Sequence, residues 1–378
     1  MVRDVAGIDC LQADIAAHAF FRTETPPMPS PRPLVPLAIA LAFASAPVAA
    51  TTQCPHDTLE ATAPTVNVRV DNDLFGGAGQ DQGYTNGFGL IIVSPNLRDY
   101  TDDPCLPRLA RAANRALTWL QPNSDFTQRN MTFAVGQALF TPTDKTRRDL
   151  IEDDRPYAGL LLMNIGYNAR NDDRLRTTQL TLGLIGPSAQ GKQVQDAVHA
   201  LLGDAKFQGW DNQLHDEPVF RVLHERLRRW SGDGSRDGWG WDAISHWGGA
   251  LGTLDTHANA GTELRLGWKL PDDFGSSPLR PAGENVAPPS DSVGSGWSAH
   301  LFVTSDGRWV LRDITLDGNT FRDSHSVKKR PFVGDAGIGL AVMRGKWKFA
   351  LARYWRTREF DLQRQTPVFG SFTVSRKL

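Results

Sequence analysis

The feature that most constrains this chain is an alternation of polarity at every second residue. It recurs from residue 65 almost to the C-terminus. Val66, Val68 and Val70 lie on one face, with Asn67, Arg69, Asp71 and Asp73 on the other. Phe88, Leu90 and Ile92 oppose Thr85, Gly87 and Gly89, and Leu264, Leu266 and Trp268 oppose Glu263, Arg265 and Gly267. Ile338, Leu340 and Val342 oppose Gly337, Gly339 and Ala341. Successive side chains of a strand point to opposite sides of the sheet, so period two means strands with two chemically distinct faces. A soluble β-sandwich also alternates. Here one face is Leu, Val, Phe and Trp while the other is Gly, Thr and charge, which is the apolar-out, polar-in pattern of a transmembrane barrel.

Twelve such segments begin near residues 65, 84, 129, 157, 175, 217, 237, 254, 297, 331, 345 and 368. An even number suits a single-chain bacterial barrel. The expected fold is therefore all-β: a single up-and-down transmembrane β-barrel of about twelve antiparallel strands, spanning residues 65–378. Two connections read as helices. Residues 107–120 place Leu109, Ala112, Ala113 and Leu117 at helical spacing, and residues 190–202 place Val194, Val198, Leu201 and Leu202 on one stripe. Residues 271–296 are rich in Pro, Gly and Ser and read as a long turn. No second domain is visible.

The N-terminal part belongs to targeting. Residues 28–50 hold Arg32, an apolar run from Leu34 to Phe43, and the small residues Val48-Ala49-Ala50, the layout of a secretory signal peptide. The apolar run is shorter than the roughly 20 residues a membrane-spanning helix needs. Residues 1–27 then read as a mis-started extension and 51–64 as a short periplasmic segment. No apolar run after residue 50 reaches spanning length, so membrane insertion requires a closed barrel. A formal charge of -1 argues against nucleic-acid binding.

Strand parity orders the connections. If the first strand starts in the periplasm, the connections carrying Asp73 to Tyr84, Thr141 to Tyr157 and Pro187 to Glu217 are external. Cys54 and Cys105 then lie on one side, where an oxidising compartment favours a disulfide, while Cys10 falls in the removed part.

The external connections hold the residues suited to chemistry. His199 lies in the helical connection with Gln195 one turn before it. Histidine is the side chain best poised for general base catalysis near neutral pH. Asn72, Asp73 and Thr85 flank the first external loop, where turn chemistry is the ordinary explanation for Asn and Asp. Asp71 and Asp73, with nearby amide and hydroxyl oxygens, also suit a hard cation such as calcium. Lys145 in the second external loop offers positive charge to a phosphate or an oxyanion. Ser188 keeps a Ser–His hydrolase open beside a His-activated water, although no GxSxG elbow, HExxH or P-loop is present. Asp153, Asp154 and Arg155 read as a strand start with an Asp–Arg pair.

At VDNDLF (70–75), YTNGF (84–88), GQALFTPTDK (136–145), DDRPYAG (153–159), LGLIGPSAQGKQVQDAVHALLG (182–203) and GWDNQL (209–214), the chain resembles the outer-membrane lipid A 3′-O-deacylase family. The resemblance is dispersed over residues 65–378 and most specific over 182–214. It implies a twelve-stranded barrel with an active site between the barrel wall and a loop helix, facing the extracellular side of the bacterial outer membrane. It implies that His199 activates water and that calcium, held by Asn72 and Asp73, stabilises the oxyanion. It also carries Thr85, Lys145 and Gln195 into the site. The implied reaction is hydrolysis of the 3′-linked acyloxyacyl chain of lipid A, and the implied partners are lipopolysaccharide and outer-membrane lipid, with the enzyme acting as a monomer. A phospholipase-type acyl hydrolase and a non-catalytic barrel, in which Arg69, Asp73, Glu263, Arg265 and Asp335 simply fill the lumen, are the alternative expectations. Two features depart from the family pattern: the last residue is Leu378, not an aromatic, and the connection 94–128 is long and has no assigned role.

Overall fold

The computed structural model describes residues 63–73, 83–122, 126–232, 237–275 and 296–378. The expectations for residues 1–27, for the signal peptide at 28–50 and for Cys54 fall outside these residues. Cys105 is disulfide-bonded.

Twelve strands form one closed antiparallel barrel in sequence order, with the first strand paired to the last. They are β1 (Thr65–Asn72), β2 (Gly83–Val93), β3 (Gln128–Thr141), β4 (Ala158–Arg170), β5 (Arg174–Ile185) and β6 (Glu217–Ser231), followed by β7 (Trp239–Gly252), β8 (Asp255–Trp268), β9 (Trp297–Asp313), β10 (Phe332–Arg344), β11 (Trp347–Arg356) and β12 (Val368–Lys377). Each begins within two residues of its expected start. The barrel closes every strand edge, which is what lets strands cross a membrane with no unpaired backbone.

Alternation sorts the side chains as expected. Phe88, Leu161, Leu182, Phe220, Leu264, Leu301, Ile338 and Leu351 are exposed on the outer wall. An apolar belt of this size is foreign to a soluble monomer and natural against lipid. Inward positions carry charge in pairs. Arg69 meets Asp71 at 2.8 Å, Arg356 meets Asp335 at 2.7 Å, Arg308 meets the same carboxylate at 2.7 Å, and His246 meets Asp306 at 2.8 Å. Taking charges out of water is costly unless each is paired and hydrogen-bonded, and this lumen pairs them densely.

The segment expected to be a plain turn does more. Residues 270–275 leave β8 and fold back into the lumen, all of them buried. Asp272 pairs with Arg170 and Arg229, and Asp273 with Arg265 and Lys348. The ring of Phe274 lies beneath Arg170 and Arg229, 5.1 and 5.5 Å from their guanidinium carbons. The remainder of the expected turn, 276–295, lies outside the described residues.

Among the described residues, two helices longer than a single turn stand outside the sheet on opposite ends, and a one-turn helix at Ile314–Asp317 follows β9. Helix α1 (Arg108–Ala116) is followed by a 3₁₀ turn at Thr118–Leu120, so the single helix expected over 107–120 is interrupted. The connection packs Leu97, Tyr100, Leu106 and Leu120 on Tyr167 of the outer wall. The Tyr167 hydroxyl donates to Asn114 Oδ1 at 2.8 Å. The face of α1 turned to the barrel is therefore the one carrying Asn114, and Leu109, expected in the buried stripe, is exposed. Helix α2 (Gly191–Leu202) sits at the other end and carries the candidate site.

Candidate active site

Helix α2 docks by its smallest residue. A Cβ on Gly191 would lie 3.0 Å from Gly159 Cα, 3.0 Å from the Trp210 ring and 3.1 Å from a Leu139 methyl. Only two facing glycines allow this approach of helix backbone to strand backbone. Gln137 Nε2 adds a hydrogen bond to the Ala189 carbonyl at 2.6 Å. The buried stripe of the helix is consequently Gly191, Gln195 and His199, one turn apart. Leu201 and Leu202, expected on the buried stripe, are exposed. The wall here is supplied by Leu139, Tyr157, Phe207 and Trp210, with Val194 packed against them.

His199 is fixed from three sides. Its ring lies edge-on to Phe207, with centroids 5.6 Å apart. Its Nδ1 is 2.6 Å from the carbonyl oxygen of Ala205 and 4.0 Å from Asp204 Oδ2. A carbonyl can only accept, so Nδ1 carries the proton and, in the neutral ring, Nε2 carries the lone pair. The chain reaches this position because Gly203, at φ 71, ends the helix in the left-handed conformation and turns Asp204 and Ala205 back toward the last turn. The Asp204 amide closes the helix onto the His199 carbonyl at 2.9 Å.

Lys145 reaches the same corner from the β3–β4 connection. Its Nζ binds both oxygens of Asp204 at 2.9 Å. That hydrogen bond holds the Asp204 carboxyl below its ordinary range, with the Ala205 amide and the Lys145 charge acting in the same direction. The structure thus joins Lys145 to His199 through a residue, Asp204, that the sequence reading did not single out. Gln195 is 1% exposed, and neither its amide nitrogen nor its amide oxygen has a hydrogen-bond partner. A buried polar group left so costs about 1–3 kcal/mol.

Asn72, Asp73 and Thr85 gather at the tops of β1 and β2. All three are buried, and the Asp73 amide donates to the Thr85 carbonyl at 3.3 Å. Asn72 Nδ2 donates to Asn86 Oδ1. A bulge between Tyr84 and Asn86 changes what simple alternation anticipates. Tyr84 takes the lumen-facing place, its hydroxyl donating to Asp71 Oδ2 at 2.8 Å. Thr85 turns its hydroxyl toward β3, 3.2 Å from the Leu139 carbonyl. Leu139 in turn lies under α2, so one residue links the β1–β2 group to the helix.

The oxygen donors at this corner test the fit of a hard cation. Asp71 is withdrawn, since Arg69 and Tyr84 occupy its oxygens. Asp73 supplies a carboxylate and Asn72 an amide oxygen, donors of the type calcium prefers. No group of three or more His, Cys, Asp or Glu side chains able to hold a metal exists among the described residues, so amide and backbone oxygens must complete any such site. The donor chemistry fits calcium in kind.

Two expectations are corrected. Ser188 Oγ donates to Asp216 Oδ2 at 2.8 Å and its amide to Asp216 Oδ1 at 2.8 Å, a turn clamp and not a partnership with His199. The Arg155 guanidinium pairs with neither Asp153 nor Asp154, although its backbone amide donates to Asp154 Oδ1 at 2.8 Å. It is buried against Glu359 at 3.1 Å and Thr315 Oγ1 at 2.8 Å, while Asp154 caps the Thr143 amide.

A closed barrel with a lipid-facing apolar belt, an ion-paired lumen and a histidine-bearing helix clamped at one rim defines an integral β-barrel of the outer-membrane class. The chain belongs to the family described as outer membrane protein LpxR, whose model matches residues 37–378. Among solved structures it is similar to LpxR from Salmonella typhimurium, with 17% identity and a TM-score of 0.64, covering 83% of this chain and 100% of that one. At that identity the likeness concerns the fold. The β domain of a Bordetella autotransporter, Brka, matches with 8% identity and a TM-score of 0.40, covering 84% of this chain and 100% of that one. No curated protein matches the sequence.

Proposed function

We propose that this chain is a lipid A deacylase, hydrolysing the ester of the 3′-linked acyloxyacyl chain with His199 as general base. The observation that carries the reading is the bond from His199 Nδ1 to the Ala205 carbonyl. It sets the tautomer in which Nε2 can take a proton from water. The water oxygen attacks the ester carbonyl as its proton passes to Nε2. The same nitrogen then returns a proton to the departing alkoxide oxygen of the sugar, so the acid and the alcohol leave with the proton count balanced. Phe207 and the helix backing hold the ring in one orientation for both transfers.

Lys145 supplies positive charge beside the base and suits the phosphate groups of the lipid A sugars. Gln195, buried with no hydrogen-bond partner of its own, offers an amide to the water or to the ester. Asn72 and Asp73 would hold calcium. When bound, that ion supplies Lewis-acid stabilisation of the charge that develops on the ester oxygen. The His199 end faces the cell exterior in this reading, where lipid A resides, so acyl chains lie along the apolar wall while the sugar meets the rim.

Mass spectrometry of lipid A from cells expressing the chain tests this, with and without calcium and with His199→Ala as control. Loss of one acyloxyacyl unit, dependent on calcium and on His199, is expected. Unchanged lipid A from cells in which the barrel is folded and inserted overturns the assignment.

A further inference from the structure

At the end of the barrel opposite His199, the outer wall carries an arrangement that the proposed reaction does not use. On the β5–β6 seam, Arg174 is registered directly against Arg228, and Arg176 directly against Arg226. All four occupy even-numbered positions, which on these two strands face outward. Like charges directly opposite on neighbouring strands are destabilising. Two such pairs in succession give a cluster of four guanidinium groups. Among the described residues, Asp173 is the carboxylate paired with it, 3.5 Å from Arg174 and 3.9 Å from Arg228.

The inner pair is propped by aromatic rings. Arg176 lies over Phe126 at 5.1 Å and Arg226 over Trp247 at 5.0 Å. Phe126 comes from the end of the long 94–128 connection. It is held there by Thr127, whose amide donates to Asn171 Oδ1 at 2.9 Å. The connection therefore builds one side of a groove of about 360 Å³, Trp247 of β7 builds the other, and the arginines make its floor. That volume lies in the range of ligand clefts, about 300–1,000 Å³. Toward the His199 end the outward faces carry the Thr178–His224 pair, in contact at 3.0 Å, and beyond it turn apolar, with Val222, Phe220 and Leu251 continuing up the wall.

We infer that this groove binds an anionic glycerophospholipid, its phosphate between Arg176 and Arg226 and its acyl chains along β6 and β7. Planar guanidinium groups bind phosphate oxygens in pairs, and a bound anion removes the repulsion that the strand register imposes. An apolar track that begins one outward position beyond the charge cluster, past Thr178 and His224, matches a lipid headgroup with chains and has no use for a soluble phosphate. The leaflet, facing the periplasm, rests on the orientation in the proposed function; the binding itself does not.

Native mass spectrometry of the full barrel, released from detergent micelles doped with phosphatidylglycerol or phosphatidylcholine, tests the inference independently of deacylation. Wild-type barrel is expected to retain phosphatidylglycerol in preference to phosphatidylcholine, and Arg176→Gln/Arg226→Gln to lose that occupancy at least about tenfold. Millimolar inorganic phosphate should leave the lipid in place; its displacement would reduce the groove to a simple anion site and overturn the inference. Equal lipid retention by wild type and the double variant would overturn it as well. If the double variant does not give a heat-modifiable, folded band, Arg226→Gln alone carries the same expectation with a smaller loss.

Discussion

His199 owes its orientation to residues that follow the helix, not to those within it. Gly203 reverses the chain, Ala205 presents the carbonyl that orients the ring, and Asp204 turns its carboxylate to Lys145. Removing a general base costs about 10²–10⁴ in rate, so His199→Ala should lower lipid A turnover by that factor while the barrel still migrates as folded on unheated gels. Near-wild-type turnover would remove His199 from the mechanism. The Asp204–Lys145 contact titrates with a definite sign. Asp204 is depressed in the folded protein, so the stability it contributes is present above the ordinary carboxylate value of about 4 and is lost as pH falls through its folded value. In a carboxyl-carbon NMR titration, Lys145→Met should move the Asp204 midpoint upward; an unchanged midpoint would show that Lys145 does not hold it. The sequence makes Gln195 and His199 legible together, since residues four apart share a helical face. Asp204 and Ala205 are not legible that way. Their contact with His199 exists only because Gly203 adopts the left-handed conformation, which converts neighbours beyond the helix end into partners of its last turn.

At the scale of elements, the strands were readable and the helix faces were not, for one physical reason. Lipid outside and packed charge inside impose opposite demands on alternate residues, so a strand such as β10 carries its own boundaries in its composition. A helix resting on the barrel meets no such uniform solvent. Helix α2 buries Gly191, Gln195 and His199 and leaves Leu201 and Leu202 exposed, which reverses what an apolar stripe predicts. The bulge at Thr85 escapes the alternation rule because an inserted residue resets the parity of the strand. The Gly191–Gly159 contact suggests the sharpest test of helix docking. Gly191→Val puts its Cβ 3.0–3.1 Å from the Gly159 backbone, Trp210 and Leu139, already inside van der Waals contact before its methyl groups are placed. Overpacking of this kind costs about 1–3 kcal/mol, and here it falls on a helix held outside the barrel. The variant should keep the barrel's unfolding temperature within a few degrees yet lose most turnover, as measured by thermal melts and the lipid A assay together. Retained activity would mean that the helix can shift without displacing His199.

For the whole molecule, the lumen decides between a pore and a wall that supports a rim site. Residues 270–275 and the pairs around Asp335 and Asp306 fill the lumen with buried, bonded side chains, and a pocket among Arg221, Asp306, Arg308 and Arg356 holds about 70 Å³, room for a few waters. Arg69, Arg265 and Asp335, read from the sequence as lumen-filling charge, do lie in this network, through Asp71, Asp242 and Arg356 respectively. Asp273 is its deepest carboxylate: fully buried, it serves both Arg265 and Lys348. Asp273→Ala leaves two cations without that shared partner, and breaking a buried pair on one side costs about 3–5 kcal/mol. The variant should therefore unfold at a clearly lower temperature or denaturant concentration than wild type, while Asp273→Asn, which keeps hydrogen-bonding oxygen, should lose less. In a planar bilayer the wild-type barrel should show no steady conductance, because the charges that could line a channel are spent on one another. Steady ion-selective conductance from the wild type would mean that residues 270–275 leave the lumen in the membrane. The packing that makes the barrel a rigid support for His199 would then be a gate instead.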